Sequence, residues 1–241
     1  PLADVRQLRA RAVVAVLAEL VAGQAARLRG DRAAGLFTDA TMHTPVEVTE
    51  RALAVAAETE ADCTVAIGGG STTGLGKAIA LRTGLDQIVI PTTYAGSEMT
   101  DILGQTEDGV KTTLRSPAVQ PEVVIYDVDL TLTLPRGLTG TSGMNAIAHA
   151  VEALYAEDRN PVIVLMAEEG IRALGGALPR LMAAPDDRDA RGDALYGAWL
   201  CGIALGSSAM ALHHKLCHTL GGTFDLPHAE THAIVLPHAA A

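Results

Sequence analysis

Six of the eight histidines, His149, His213, His214, His218, His228 and His232, belong to or adjoin two apolar helical segments in the second half of the chain. Imidazole is the commonest transition-metal ligand and titrates near neutrality, so this density points either to a metal site or to an acid–base site. His214 and His218 are four apart, share one helix face and can address the same small volume. Gly221-Gly222 reads as a helix stop, and His228, directly after Pro227, is expected to return to that volume from a loop. Upstream, Gly143-Met-Asn-Ala-Ile-Ala-His149 supplies a second i,i+4 polar pair, Asn145 and His149. Two helices and a loop then converge on one pocket. A divalent ion held there is normally completed by a carboxylate, and the residue in that place is Asn145.

A second constellation lies in the first half. The apolar, β-branched run Cys63-Thr-Val-Ala-Ile67 leads at once into Gly68-Gly69-Gly70-Ser71-Thr72-Thr73-Gly74-Leu-Gly76-Lys77 and then the helical Ala-Ile-Ala-Leu. Strand, glycine loop and helix in that order build a phosphate cradle. Glycines let backbone N–H groups approach the ligand, and the helix start carries partial positive charge. The loop is neither the spaced three-glycine dinucleotide fingerprint nor a Walker A loop. The next strand, Gln87-Ile-Val-Ile-Pro91, runs into Thr92-Thr93-Tyr94-Ala95-Gly96-Ser97-Glu98, whose hydroxyls suit a ribose, a phosphate or a nicotinamide amide.

The elements that must position these residues fall into two regions. From about residue 11 to 135, short apolar runs alternate with helical patterns: Arg11–Leu17, a helix through Ala25–Leu28, then Gly35-Leu-Phe37. Thr44 and Pro45 are expected to cap and open the next helix. Strands are expected at 63–67, 87–90 and 122–126, an alternation that implies a mostly parallel sheet with right-handed crossovers. After the breaker cluster Leu134-Pro135-Arg136-Gly137 the pattern is helical, with segments expected at 142–157, 161–182 and 189–218. The expected architecture is therefore an α/β nucleotide-binding domain over residues 1–136, with a mostly parallel sheet, followed by an all-α domain over 137–241.

Composition narrows the function classes. With 241 residues, 49% of them hydrophobic, the chain can bury a substantial core in one or two domains. No run approaches the roughly 20 apolar residues of a membrane span, and the Arg-studded start does not read as a signal peptide. The three cysteines, Cys63, Cys201 and Cys217, sit in apolar contexts, which favours reduced thiols and a cytoplasmic location. A net charge of -10 argues against nucleic-acid and anionic-membrane partners.

Taken together, the segments 68–77, 91–100, 141–153 (Thr-Ser-Gly-Met-Asn-Ala-Ile-Ala-His-Ala-Val-Glu-Ala) and 212–232 (Leu-His-His-Lys-Leu-Cys-His through Pro-His-Ala-Glu-Thr-His) resemble the iron-containing alcohol dehydrogenase superfamily. Within it the chain is most similar to the maleylacetate reductase subgroup. The resemblance implies the dehydroquinate synthase-like architecture, and against it both ends look cut: the chain stops in mid-pattern at Leu236-Pro237-His238, and the first strand of the nucleotide domain is expected to be missing. It also implies a cytoplasmic homodimer that uses NADH or NADPH to reduce the small dianion maleylacetate to 3-oxoadipate in aromatic-compound catabolism. Gly68, Gly69, Gly70, Ser71, Thr72, Thr92, Thr93, Tyr94 and Ser97 are the expected cofactor-binding residues.

In metal-dependent members, the matching positions make His149, His214 and His228 metal ligands beside an aspartate, where this chain has Asn145. A neutral amide removes charge attraction that a divalent ion relies on, so the metal is expected to be absent and the four positions vestigial. His149, His214, His228 and Asn145 are then expected to bind substrate carboxylates. His218 is the expected proton donor, with His228, His214 and His149 as further catalytic residues. Gly74 is a second departure, since many metal-dependent relatives carry an aspartate there. Three alternatives stay open: a metal-dependent alcohol dehydrogenase, a lyase-type relative that recycles the nicotinamide, and a non-catalytic nucleotide-binding protein.

Overall fold

The computed structural model describes residues 13–17, 33–224 and 226–240, the first of these segments as backbone only. They form two compact units, Pro1–Thr92 with Asp101–Asp127, and Thr93–Thr100 with Val128–Ala241. The helix expected through Ala25–Leu28 lies outside the described residues.

In the first unit, strands β1 (Val13–Leu17), β2 (Ala33–Phe37), β3 (Cys63–Gly68), β4 (Asp86–Pro91) and β7 (Val123–Val124) form one sheet in the order β2-β1-β3-β4-β7. Every pairing in it is parallel. A parallel sheet covered on both faces needs nearly continuous apolar strands, and Ile67, Ile88, Val89 and Ile90 are all buried. The winding reverses at β1: the chain steps outward to β2, then the other way to β3, β4 and β7. Open parallel sheets bind ligands beyond the carboxyl ends of their strands at such a reversal, and β3 delivers the glycine loop there.

Helix α1 (Val46–Glu58) turns Val48, Ala52 and Ala56 onto Phe37, Ala66, Leu75, Ile79 and Val89. Its start differs from expectation. Pro45 occupies the cap position and no side chain caps the helix. Thr44 has φ +48°, and its carbonyl accepts from the Thr106 backbone, so the strand bridge to that segment displaces it from a capping geometry. Thr106 belongs to an antiparallel hairpin, β5 (Ile102–Glu107) and β6 (Val110–Arg115), which the sequence reading passes over. Asp108 and Gly109, at φ +48° and +76°, make its two-residue turn, the geometry Asp-Gly favours.

The second unit is helical: α3 (Arg136–Tyr155), α4 (Pro161–Ala183), α5 (Arg188–Gly206), α6 (Leu212–Phe224) and α7 (His228–Ala239). Asn160 caps α4 by accepting from Val162 and Ile163, and Asp187 caps α5 by accepting from Ala190. Gly170 of α4 and Gly197 of α5 let the two backbones approach closely, since a side chain on either meets the other helix. Around them pack Leu174, Leu181, Ala194, Ala198 and Cys201, all buried; trimming such a leucine to alanine typically costs about 2–5 kcal/mol. No described helix is long and apolar enough to cross a membrane.

Two helix expectations need correction. The stretch 189–218 is two helices broken across Ser207–Ala211, not one. The pair Gly221-Gly222 does not stop α6, which runs on to Phe224 and closes with a hydrogen bond from Leu226 N–H to the Gly221 carbonyl. Pro227 ends the segment instead, and His228 opens α7, so it enters the site from a helix and not from a loop. The division between the units also differs from 136/137: it falls after Asp127, and the Thr93–Thr100 loop joins the helical unit.

Candidate active site

The glycine loop presents backbone. Gly69 is the N-cap of α2 (Gly70–Thr83) and makes no side-chain cap, so the first N–H groups of α2 are not taken by a capping side chain. Gly68 anchors the turn by accepting from Thr92 N–H at 2.9 Å. Gly70 is exposed, Gly69 and Ser71 are half-buried, and Thr72 is buried in the first turn. These groups suit an anion such as a pyrophosphate. A side chain at Gly74 would collide with the Thr44 hydroxyl, which explains glycine at this position from within the chain.

The Thr93–Thr100 loop lies on α5. Gly96 adopts φ +77° and packs against Ala198 and Gly202, with no room for a side chain. Thr93 is half-buried, as is Ser97, whose Oγ is buried. Tyr94 departs from its expected role as a cofactor ligand: its side chain is fully buried and its hydroxyl accepts from Arg191 Nη1 at 2.9 Å. Arg191, 0% exposed, also donates to Thr139 Oγ1, Leu134 O and Pro185 O. Tyr94 N–H donates to Ser142 Oγ, so the loop is held at backbone and side chain together.

The second-unit site is a continuous imidazole cluster. His149 on α3 stacks on His214 of α6, ring centroids 4.9 Å apart. His232 of α7 sits at the centre, 4.6 Å from His214, 4.3 Å from His228 and 4.8 Å from His213. His218, exposed, closes the outer edge 5.9 Å from His214 and 5.7 Å from His228. Burial, and then the charge of the surrounding imidazoles, holds His149 and His232 well below the usual histidine range. Buried Asn145 Oδ1, His149 Nδ1 and His232 Nε2 have no hydrogen-bond partner among the described residues, so a ligand can satisfy them.

Glu152, one turn beyond His149 and not assigned by the sequence reading, organises this cluster. Its Oε1 accepts from His214 N–H at 3.0 Å and from Tyr155 Oη at 3.3 Å, and its Oε2 pairs with His214 Nδ1. Burial alone raises its pKa, but the hydrogen bonds and charge interaction with His214 outweigh that and hold the carboxyl below its usual range. An ionised carboxylate only accepts, so Nδ1 of His214 carries the hydrogen and Nε2 is left for a ligand. His213, Cys217 and His232 are further members that spacing alone leaves without a role. Burial and the Glu152 charge push the Cys217 thiol up to about 11.

Among the described residues, the groups whose ligand atoms lie within 4.8 Å of one another are His213–Cys217–His232 and His218–His228–His232. The set His149, His214 and His228, which the resemblance implies as ligands, is not one of these groups. With a neutral Asn145 beside it, that set lacks the carboxylate that normally completes a divalent ion's ligands.

The model of the iron-containing alcohol dehydrogenase family matches residues 5–128, and that of the Fe-containing alcohol dehydrogenase family C-terminal region matches 139–241. The chain is similar to the maleylacetate reductase of Rhizobium sp. strain MTP-10005, 67% identical over 217 residues, 90% of this chain and 62% of that protein. It therefore spans less than two thirds of this relative's length. The crystal structure of maleylacetate reductase from the same strain superposes with a TM-score of 0.95 at 61% identity, covering 99% of this chain and 69% of that one. That of an iron-containing alcohol dehydrogenase from Corynebacterium glutamicum gives 0.94 at 45% identity, covering 98% and 66%.

Proposed function

The chain belongs to the iron-containing alcohol dehydrogenase family, and from that premise we propose that it is an NAD(P)H-dependent reductase converting maleylacetate to 3-oxoadipate without a metal ion. The observation that carries this reading is Asn145: a buried neutral amide stands in a six-imidazole cluster where a carboxylate would complete an ion's ligands. The similarity to maleylacetate reductases supports the substrate.

The substrate's double bond is conjugated to a ketone, so incoming electrons delocalise into an enolate, and hydrogen-bond donors with a proton donor suffice where an isolated carbonyl needs a Lewis acid. NADH or NADPH supplies the hydride when bound. Gly69, Gly70 and Ser71 hold its pyrophosphate through backbone N–H groups, with Thr92, Thr93 and Ser97 as hydroxyl partners. His149, His214 and His228, with Asn145, bind the two substrate carboxylates, and Glu152 fixes the orientation of the His214 ring. Exposed His218 gives the proton and is recharged by water. Three free, buried cysteines support a reducing, cytoplasmic setting, the net charge of -10 disfavours nucleic acid, and the family resemblance supports a homodimer.

The test is NADH oxidation with maleylacetate and, separately, with simple ketones, before and after chelation. Chelator-insensitive turnover of maleylacetate is the expected result. Iron-dependent turnover of simple ketones instead makes the chain an alcohol dehydrogenase. Binding of NADH with no turnover of either makes it a non-catalytic nucleotide-binding protein.

A further inference from the structure

His213 and Cys217 are four apart on α6, so both project from one face of that helix toward α7, which presents His232. All three are buried, at 1%, 2% and 0% exposure, and one ligand atom from each lies within 4.8 Å of the others. Their spacing is close to that of a tetrahedral cation site. Bond lengths of about 2.05 Å to imidazole nitrogen and 2.3 Å to thiolate imply edges of about 3.3 Å between nitrogens and about 3.6 Å from nitrogen to sulfur. His213 Nε2 to His232 Nδ1 is 3.0 Å and Cys217 Sγ to His213 Nε2 is 3.7 Å. Glu152 places a negative charge near enough to act on both His213 and Cys217, which favours a cation.

We propose that His213, Cys217 and His232 form a zinc site that staples α6 to α7, separate from the ion position implied by the family. The chemistry excludes the hard cations: magnesium and calcium take oxygen ligands, whereas one sulfur and two imidazoles suit a borderline-soft ion with no demand for octahedral geometry. Three protein donors leave the fourth tetrahedral position to a further ligand such as water. On binding, the Cys217 S–H bond breaks and its proton leaves to solvent as the zinc–sulfur bond forms. The imidazole hydrogen shared between His213 and His232 moves to another ring nitrogen, and no electron is transferred.

The site is independent of the reductase reading, and its test uses no turnover. Chelator-stripped protein is titrated with zinc chloride and with cobalt(II) chloride, following metal stoichiometry, visible and near-ultraviolet absorption, and Tm. We expect one ion per chain, a thiolate-to-cobalt charge-transfer band, and a Tm rise of about 5–10 °C at a hundredfold excess over Kd. Cys217→Ser removes the band and weakens zinc binding about tenfold or more, while His149→Ala leaves both unchanged. A wild-type cobalt spectrum without a thiolate band overturns the proposal, and this needs no variant to fold. So does zinc binding that survives Cys217→Ser but is lost in His149→Ala, which puts the ion with the other histidines.

Discussion

Replacing Glu152 by Gln tests the reading of the site at its least obvious member. The carboxylate accepts three hydrogen bonds, from His214 N–H, His214 Nδ1 and Tyr155 Oη. In the variant, the amide oxygen keeps the first and last of these, and the NH2 group is left facing His214 Nδ1. The charge-assisted pair that fixes the ring is then lost, and the hydrogen can shift from Nδ1 to Nε2, which changes what the imidazole offers the substrate. Charge-assisted bonds contribute about 1.5–3 kcal/mol and neutral ones about 0.5–1.5, so the loss is about 1–1.5 kcal/mol, or roughly tenfold. Steady-state kinetics should therefore show KM for maleylacetate raised about tenfold, kcat changed less, and NADH affinity unchanged, since the glycine loop is untouched. Circular dichroism and Tm check that the fold survives. A folded Glu152→Gln protein with unaltered KM refutes the claim that this carboxylate orients a substrate-binding imidazole.

The same framework makes four other statements. Gly69→Val places a side chain where the pyrophosphate must sit, so fluorescence titration should show NADH binding abolished in a protein that still melts cooperatively. His218→Ala should lower kcat by about 10²–10⁴-fold with NADH affinity intact, and near-normal kcat moves the proton donor to His228 or a bound water. EDTA should leave maleylacetate turnover unaffected, whereas Asn145→Asp, by restoring an anionic oxygen four residues before His149, should raise iron(II) affinity in equilibrium dialysis. Acid should destabilise the fold. His149 and His232 are held below their unfolded pKa near 6.5, so the native state binds fewer protons than the unfolded one, and stability is lost as pH falls below about 6.5. The slope reaches about 1.4 kcal/mol per pH unit for each residue, measured by urea unfolding across that range, and a flat profile contradicts their burial as neutral rings.

What was legible in the sequence was whatever local chemistry repeats at a fixed spacing. The run from Cys63 into Gly68-Gly69-Gly70 named both a strand and the turn that follows it, and the i,i+4 pairs Asn145/His149 and His214/His218 named the helix faces. The errors arose where a tertiary contact outweighed a local signal. Gly221-Gly222 reads as a stop because each glycine costs a helix about 1 kcal/mol, yet α6 runs through both to Phe224. That misreading hid the placement of His232, which stands to His228 as His218 stands to His214 and shares its helix face only once His228 is helical. Tyr94 looked like a ligand because hydroxyls cluster around it, and its partner, Arg191, is 97 residues away. Glu152 carried a weak signal in His149-Ala-Val-Glu152, one turn from a site histidine, but spacing does not reveal that the backbone of α6 would meet it.

Arg191 has a bearing on how the molecule assembles. Three of its four acceptors lie 97, 52 and 57 residues away, and all four are uncharged. No local fragment of the chain can desolvate this guanidinium, because its acceptors arrive only when α3, α5 and the Thr93–Thr100 loop have docked together. Contacts of such separation form slowly and together. The loop therefore acquires its fixed form late in folding, and competence to bind a ligand appears only as the bundle closes. Since no carboxylate completes the knot, raised salt has no surface ion pair to screen there. Opening of the N-terminal turns of α5, in contrast, frees Tyr94 and with it the whole loop, so hydrogen exchange at α5 and at residues 93–100 should rise and fall as one cooperative unit.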